Sequence, residues 1–300
     1  MRFQVLGTLE IHDGPRRLTP SAPKQRSVLA LLLSSANEVV PTEALIEELW
    51  EGHPPVSALT TLQTYVYQLR KLLTRNGEEE DGPRLLTKHG AYLLSVDGGM
   101  LDAVEFERLI DVARRHLQSD DLEPASATLC AALDLWHGSA LADVVAGPRL
   151  AIYRTRLEEL RVHAVKLRID TWWRMGRHHE TIAELKELAA THPLDEWFHL
   201  RLMEGLSRES RRHEALEVYH NLRSILREEL GLEPGSEMRE LQQTVLALDH
   251  APHAPHASID RSPEPALAGR NGRRPLHDPV RDPVRDSVRD RSPRKAGCAL

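Results

Sequence analysis

The stretch between Gly52 and Gly77 contains the residues whose types and spacing most clearly indicate a chemical role. It offers hydroxyl groups, an amide and positive charges, and it contains no Asp or Glu. The polar set comprises Thr60, Thr61, Thr64, Tyr67, Gln68, Arg70 and Lys71. Hydroxyl and amide groups hydrogen-bond to the edges of nucleic-acid bases, and Arg and Lys neutralise phosphate or read guanine. Ordinary solvated helix faces mix both signs, so this pattern indicates contact with a polyanion rather than a reaction.

Residue patterns typical of enzymes are lacking elsewhere in the sequence. It contains no GxSxG, CxxC or GxxxxGK[ST] motif, and its two cysteines have no histidine partner with local support. His250, His253 and His256 recur every three residues, but a Pro-rich segment is a poor metal site and sixteen histidines make chance neighbours common. We therefore predict that the chain is not an enzyme and uses neither a cofactor nor a metal.

A helix is needed to bring the candidate contact residues to one face. Apolar residues recur at helical spacing within residues 57–75 and form a stripe suited to a core, namely Leu62, Val66, Leu69 and Leu73. The opposite arc is centred on Thr60, Thr64, Tyr67, Gln68 and Lys71. A recognition helix in the DNA major groove would lack carboxylates on this arc, because they would face phosphates. The alternative is a polar, solvent-facing helix of an all-α protein.

The elements predicted before this helix supply the rest of a small domain. Residues 2–19 alternate like a short antiparallel meander. A helix starts near Pro23 with Ser21 as its cap, and a helix over residues 43–50 follows Thr42 as its cap. The second and third helices, joined by a short turn, have the order of a helix-turn-helix.

Further positive side chains flank this predicted motif. Lys24 and Arg26 lie at the start of the first helix, where they could hold phosphate near a helix N-terminus. Lys88 and His89 lie at the tip of a hairpin predicted over residues 84–96, which would form a wing. The alternative for all four residues is ordinary surface charge. The order of strands, three helices and hairpin predicts a winged helix-turn-helix.

The sequence after Leu101 is helical throughout, so the predicted fold is mainly α with a small β content. Residues 177–188 align with residues 211–222 at an offset of 34, the period of tetratricopeptide helix pairs. Such pairs stack into an array with a concave face for partners.

Composition and charge indicate the cellular compartment of the protein and the boundaries of its domains. The apolar share of 41% and the charged share of 28% are ordinary for a globular protein, and no apolar run of 18 residues or signal peptide is present, so we predict a cytoplasmic protein without a membrane span. The net charge is −1 over residues 1–95, −9 over residues 96–250 and +4 over residues 251–300. We predict a first domain over residues 1–97 that folds alone, a helical domain over residues 100–248 and a disordered low-complexity tail over residues 251–300.

Several separate motifs, in order along the chain, resemble the SARP family of actinomycete antibiotic-pathway regulators. In the first part these are PKQRSVLALLL (23–33), LQTYVYQLRKLL (62–73) and TKHGAYLL (87–94). In the second part they are LDLWHGSALADV (133–144) and the segment from LMEGLSRES to LGLEPG (202–235). The resemblance implies a winged-helix DNA-binding domain of the response-regulator output type. It also implies a bacterial transcriptional activation domain built from tetratricopeptide-like helices.

The function implied by this resemblance is activation of a secondary-metabolite biosynthetic cluster. Members of the family bind direct repeats near promoters in double-stranded DNA and recruit RNA polymerase, so a homo-oligomer on DNA is expected. One departure is His137, because the family often has Arg between this Trp and Gly. Two rival hypotheses remain open at this point. One is a ligand- or partner-sensing DNA-binding regulator or repressor, and the other is a tetratricopeptide-type interaction scaffold.

Overall fold

The computed structural model describes residues 1–74 and 82–247, so the tail predicted to be disordered lies outside the described residues. The first element is a three-stranded antiparallel sheet of β1 (Arg2–Gln4), β2 (Glu10–Asp13) and β3 (Arg16–Arg17), in that order. The turn between β2 and β3 places Gly14 at φ +59°, a conformation that glycine adopts at little cost. This sheet confirms the predicted meander.

Three helices and a second sheet follow the meander. The elements are α1 (Pro23–Ser34), β4 (Val39–Pro41), α2 (Thr42–Trp50), α3 (Ala58–Leu73), β5 (Arg84–Lys88) and β6 (Ala91–Ser95). The strand order is β4-β6-β5, with all neighbours antiparallel. Strand β4 was not predicted, because three residues give no periodicity and the pairing of β4 with β6 is set by tertiary structure. The helix-turn-helix and the wing hairpin are present as predicted.

Two helix caps differ from the prediction. α1 begins at Pro23 after Ala22, and no side chain caps its first turn. Thr42 is the first residue of α2 rather than its cap. In α1 the fixed φ of proline suits the first helical position, where a missing N–H is not needed, so the helix begins there without a hydroxyl cap.

The apolar stripe of α3 packs as the sequence predicts. Leu62, Val66, Leu69 and Leu73 are between 0% and 4% exposed. They pack in the same core as the apolar residues of α1, which is buried over Ser27–Leu33. Burying each of these leucine and valine side chains stabilises the fold by about 1.5–3 kcal/mol. This packing determines which face of α3 remains available to a partner.

The remainder of the described chain is helical. The elements are α4 (Asp102–Gln118), α5 (Leu122–Leu133), α6 (Pro148–Arg174), α7 (Ile182–Thr191), α8 (Glu196–Arg208), α9 (Arg212–Leu230) and α10 (Ser236–Ala247). Short 3-10 turns at Gly98–Met100 and His178–Thr181 precede α4 and α7. Among the described residues, no helix combines the length and the apolar character that crossing a membrane requires.

The 34-residue repeat is visible in how two helices end. Gly176 closes α6 at φ +76°, and Ser210 closes α8 at φ +60°. In each case the N–H of the next residue, Arg177 or Arg211, donates to the carbonyl five residues earlier at 2.8 Å. This is the Schellman closure, which usually employs glycine in the left-handed position. Ser210 therefore adopts the left-handed conformation although it is not a glycine, at a steric cost that Gly176 avoids.

The two halves of the chain share one core and direct backbone hydrogen bonds. The loop after β1 accepts N–H groups from the segment that follows α5. The bonded pairs are His137 to Leu6 (2.8 Å), Leu141 to Val5 (2.9 Å) and Ala142 to Gly7 (3.1 Å). In addition, Phe3 forms a parallel bridge with Leu101. Because each half satisfies backbone groups of the other, we now expect residues 1–97 to depend on the second half for stability.

Candidate nucleic-acid interface

The exposed face of α3 carries a continuous set of polar side chains. Its exposed polar residues are Thr60, Gln63, Thr64, Tyr67, Gln68 and Lys71. Gln63 is missing from the set predicted from the sequence, although it lies three residues after Thr60 and four before Tyr67 and so shares their face. Thr61 belongs to the edge of the helix and is only partly exposed. The face therefore offers two amides and no carboxylate.

Hydrogen bonds within the face orient some of its polar groups. The Thr64 hydroxyl donates to the Thr60 carbonyl at 2.9 Å, which uses its proton but leaves its oxygen as an acceptor and its methyl group exposed. Gln68 accepts a hydrogen bond from the side-chain amide of Gln25 on α1. Gln63 has no side-chain partner among the described residues. These three residues therefore offer a methyl group, acceptors and amide donors, the groups that read base edges in a major groove.

Tyr67 and Lys71 are two exposed side chains of α3 that have no hydrogen-bond or ion-pair partner among the described residues. Tyr67 is 67% exposed, which is unusual for an aromatic side chain without a partner. Lys71 is exposed in the last turn of α3 and has no carboxylate partner in the described parts of the chain. Its ammonium group is therefore available to neutralise phosphate.

Arg70 has a different position from the one that the sequence indicated. Its Nε–H donates to the carbonyl of Leu85 at 2.8 Å, and its terminal N–H donates to the hydroxyl of Thr87 at 2.5 Å. Both acceptors are in β5, so Arg70 ties the wing strand to the recognition helix. The structure therefore gives Arg70 a positioning role, because its guanidinium is occupied by the protein itself.

The wing tip is exposed as predicted. Lys88 and His89 are both exposed, and neither has an ion-pair partner within residues 1–74 and 82–247. Gly90 follows at φ +64° and allows the tight turn between β5 and β6. Because Arg70 fixes β5 against α3, these two side chains are held on the same small domain as the exposed face of α3. They remain candidate phosphate ligands.

The two cations of α1 are engaged within the protein, which the sequence did not reveal. The Lys24 ammonium donates to the Leu49 carbonyl at 3.0 Å and lies 4.4 Å from the centre of the Trp50 ring. Arg26 forms an ion pair with Asp143 of the second half, and its side chain is only 12% exposed. Arg26 also donates to the carbonyl of Leu9 at 2.9 Å. We therefore remove Arg26 from the candidate phosphate ligands and regard Lys24 mainly as a stabiliser of the end of α2.

The helix-turn-helix is attached to the helical array through Glu48 of α2. This carboxylate is 4% exposed and accepts the N–H groups of Arg149 at 2.9 Å and Leu150 at 3.3 Å. It thus caps the first turn of α6, which has no acidic residue of its own. A side chain at Gly147 would come within 2.5 Å of the Glu48 carbonyl, so the close approach requires glycine there.

Asp102 forms a second carboxylate link between the halves. It accepts N–H groups from Val5 at 2.9 Å, from Leu6 at 3.1 Å and from Ala103 at 2.8 Å. Burial raises the pKa of Asp102 from 3.8 to about 6, although these three hydrogen bonds act in the opposite direction. The link therefore includes an acid that titrates near the lower edge of the physiological range.

Comparison with protein families gives two matches, one in each half of the chain. A family described as "Transcriptional regulatory protein, C terminal" matches residues 17–91. A family described as "Bacterial transcriptional activator domain" matches residues 101–246. The first match contains α3, strand β5 and the turn of the wing, and the second contains α4 to α9 and nearly all of α10.

Individual relatives agree with these matches. Regulatory protein DnrI of Streptomyces peucetius is 42% identical over 253 residues, which cover 83% of this chain and 93% of DnrI. Regulatory protein AfsR of Streptomyces griseus is 36% identical over 249 residues, and the match spans only 25% of that longer protein.

A solved structure extends the comparison to the fold. Mycobacterium tuberculosis EmbR, in complex with a low-affinity phosphopeptide, superimposes with a TM-score of 0.76 at 30% identity, covering 82% of this chain and 65% of EmbR. Both domain types occur in the expected order, and the similarity to DnrI extends over nearly its whole length. The chain therefore belongs to the SARP family of DNA-binding transcriptional regulators.

Proposed function

We propose that this regulator activates an antibiotic biosynthetic cluster by binding direct repeats upstream of its promoters and contacting RNA polymerase. The observation that carries the DNA-binding part of this proposal is the exposed face of α3, which is polar and free of carboxylates. It is flanked by Lys71, Lys88 and His89, none of which has an ion-pair partner among the described residues. Relatives named as regulators of transcription or of pathways, including RedD of Streptomyces coelicolor at 33% identity, support the biological context.

The side chains of the α3 face have separate tasks in this proposal. Gln63, Thr64 and Gln68 read base edges in the major groove, because they offer amides, an acceptor and a methyl group. Thr60, Thr61 and Tyr67 border this set and contact sugar or phosphate. Lys71, Lys88 and His89 set affinity and register through phosphate, with His89 contributing charge only when protonated. Arg70 holds the wing in place.

Direct repeats follow from the limited reach of one recognition helix. A single helix reads DNA through three or four side chains, which select only a few base pairs. A second copy on an adjacent repeat, one helical turn away on the same face of the duplex, increases both affinity and specificity. The homo-oligomer of this proposal therefore assembles on DNA.

The contact with polymerase is assigned to the helical array. Residues 96–250 carry 19 Lys and Arg against 28 Asp and Glu, so phosphate repels this part of the chain. A strongly acidic array that is rigidly attached to a DNA-binding module is suited to a protein partner beside the DNA. This assignment makes the array an activator rather than an additional DNA-binding surface.

The test begins by mapping the DNA that the full chain protects upstream of neighbouring genes. A duplex with two protected repeats and a duplex with one repeat scrambled are then titrated with protein at several salt concentrations. We expect a steep salt dependence on both duplexes, because bound phosphates release counterions, and tighter cooperative binding on the intact repeats.

Transcription in vitro with purified polymerase then separates activation from its rivals. Increased transcript from the intact promoter, and none from the scrambled one, is the expected result. A decrease on the intact promoter would identify a repressor. Salt-independent or absent duplex binding would favour the scaffold hypothesis and contradict the proposed DNA interface.

A further inference from the structure

A groove of about 300 Å³ opens between α7, α8 and α9, in the helical array and outside the proposed DNA interface. Its lining is mainly apolar and includes Ala189, Ala190, His199, Leu206, Val218 and Ile225. A volume near 300 Å³ is at the lower end of the range for sites that hold small organic molecules.

The groove arises from a difference between the two copies of the 34-residue repeat. α7 ends at Thr191 and has two alanines, Ala189 and Ala190, in its last turn, where the second copy has Arg223 and Ser224. α9 continues to Leu230, well beyond the position equivalent to the end of α7. The short helix and its small side chains leave a volume that a larger residue would fill. At one end, the Lys186 ammonium bonds to Glu214 at 2.9 Å and joins the two helices.

His199 gives the groove a hydrogen-bond acceptor. The residue is 5% exposed, and its Nε2 lies 3.2 Å from the carbonyl of Pro193. A carbonyl oxygen can only accept, so Nε2 carries the proton and the neutral ring presents Nδ1 as a lone pair. Burial lowers the pKa of His199, which keeps the ring neutral at pH 7. No side chain among the described residues donates to Nδ1.

The charges around the groove limit what it can hold. Lys186 is neutralised by Glu214, which also accepts two N–H groups from Arg211 at 2.7 Å each. Glu217 is a further lining residue and lies 3.6 Å from His213 across one turn of α9. No unpaired cation is therefore available at the groove in the described structure, so an anionic ligand would have no counter-charge.

We propose that this groove binds a small, largely apolar molecule that is neutral or weakly basic and donates an O–H or N–H hydrogen bond to His199 Nδ1. The apolar walls supply affinity through burial of ring or alkyl surface, and the buried Nδ1 acceptor of His199 favours a ligand with a donor. Such a site would make the helical array responsive to an organic metabolite, independently of its contact with polymerase.

Two aromatic probes test both parts of this proposal with the full-length chain. N-phenyl-1-naphthylamine has two apolar ring systems and one N–H donor, and its fluorescence rises in apolar surroundings. Its N-methyl derivative is nearly the same size but has no donor. We expect saturable binding of both probes and about tenfold tighter binding of the N–H form, the value of one neutral hydrogen bond.

Variants locate the bound probe. Ala190→Trp fills the groove from an exposed position and should weaken binding of both probes at least tenfold. Ala183→Trp, on an exposed position of α7 outside the lining, is the matched control and should change binding less than twofold. His199→Phe keeps an aromatic ring but has neither the acceptor nor the donor to Pro193, so the preference for the N–H form should disappear.

Far-ultraviolet circular dichroism of each variant identifies any that fail to fold, and Ala190→Trp and His199→Phe test the site independently. Equal binding by the wild type, Ala190→Trp and Ala183→Trp would place the probe elsewhere and overturn the proposal. Equal affinity of the wild type for both probes would overturn the assignment of His199 as the acceptor.

Discussion

The exposed face of α3 and the contact between the two halves of the chain differ in whether their polar side chains have partners within the protein. On α3, the exposed side chains of Gln63, Tyr67 and Lys71 have no partner among the described residues. At the contact between the halves, the carboxylates of Glu48, Asp102 and Asp143 are matched to N–H groups across the boundary. A charged side chain is available for function only when the fold leaves it without a partner. Arg26 and Lys71 both resemble phosphate ligands in the sequence, yet Arg26 is paired with Asp143, whereas Lys71 has no ion-pair partner in the described parts of the chain.

The largest expected effect is the loss of the Glu48 link. Glu48→Ala leaves the N–H groups of Arg149 and Leu150 without their carboxylate at a buried helix start. We therefore expect the free energy of unfolding to fall by about 2–4 kcal/mol. Glu47→Ala, on the exposed neighbouring position, should change stability by less than about 0.5 kcal/mol. Urea unfolding followed by circular dichroism measures both. Equal stability of the two variants would contradict the capping role of Glu48.

The second prediction concerns pH and Asp102. Its pKa is about 6 in the folded protein and 3.8 by ordinary expectation, so the folded state binds the extra proton between these values. This group therefore makes the free energy of unfolding fall as the pH rises from 4 to 6, and its effect is constant above that window. Between pH 4 and pH 7, the free energy of unfolding of the wild type should fall by roughly 2–3 kcal/mol more than that of Asp102→Asn. Parallel pH profiles for the two proteins in urea unfolding would exclude this titration.

The third prediction concerns Gln63, which we propose reads base edges from the exposed face of α3. Gln63→Ala should weaken binding to the protected operator by about 1–2 kcal/mol and hardly change binding to a random duplex, because its amide reads bases rather than phosphate. Gln242→Ala, a glutamine on α10 far along the chain from α3, is the matched control. Titration of labelled duplexes by fluorescence anisotropy gives both affinities. An equal loss on operator and random DNA would assign Gln63 to the backbone instead.

The smallest expected effect sharpens the distinction between Lys71 and Arg26. Lys71→Ala should reduce the slope of log affinity against log salt by about one unit on any duplex. Arg26→Ala should leave this slope unchanged, because its partner is Asp143, and should instead lower stability. Arg115→Ala, on an exposed position of α4, controls for loss of any positive charge. Affinity measured at four salt concentrations decides the question, and a slope change in Arg26→Ala would return that residue to the interface.

The fold was largely predictable because its strongest signals are local. The apolar stripe of α3, the turn glycine of the wing and the 34-residue repeat each depend on short-range spacing, and all three have the predicted geometry. The positions of Lys24, Arg26 and Arg70 were not predictable, because each of these side chains bonds to a group that is distant in sequence or belongs to an unpredicted contact. For Arg26 the partner lies 117 residues away. Gln63, by contrast, could have been found from the sequence, since helical spacing alone places it between Thr60 and Tyr67.

The capping of α6 by Glu48 has a consequence for where operators stand relative to promoters. Because α2 holds the first turn of the 27-residue helix α6, the array leaves the DNA-binding module in a fixed direction. A surface carried by that array then points toward one side of the duplex and cannot swing to the opposite side. Operators that support activation should therefore lie at separations from the promoter that differ by whole turns of about 10–10.5 base pairs. If the array contacts polymerase as proposed, inserting half a turn would rotate the array away from it, and inserting a full turn would bring it back.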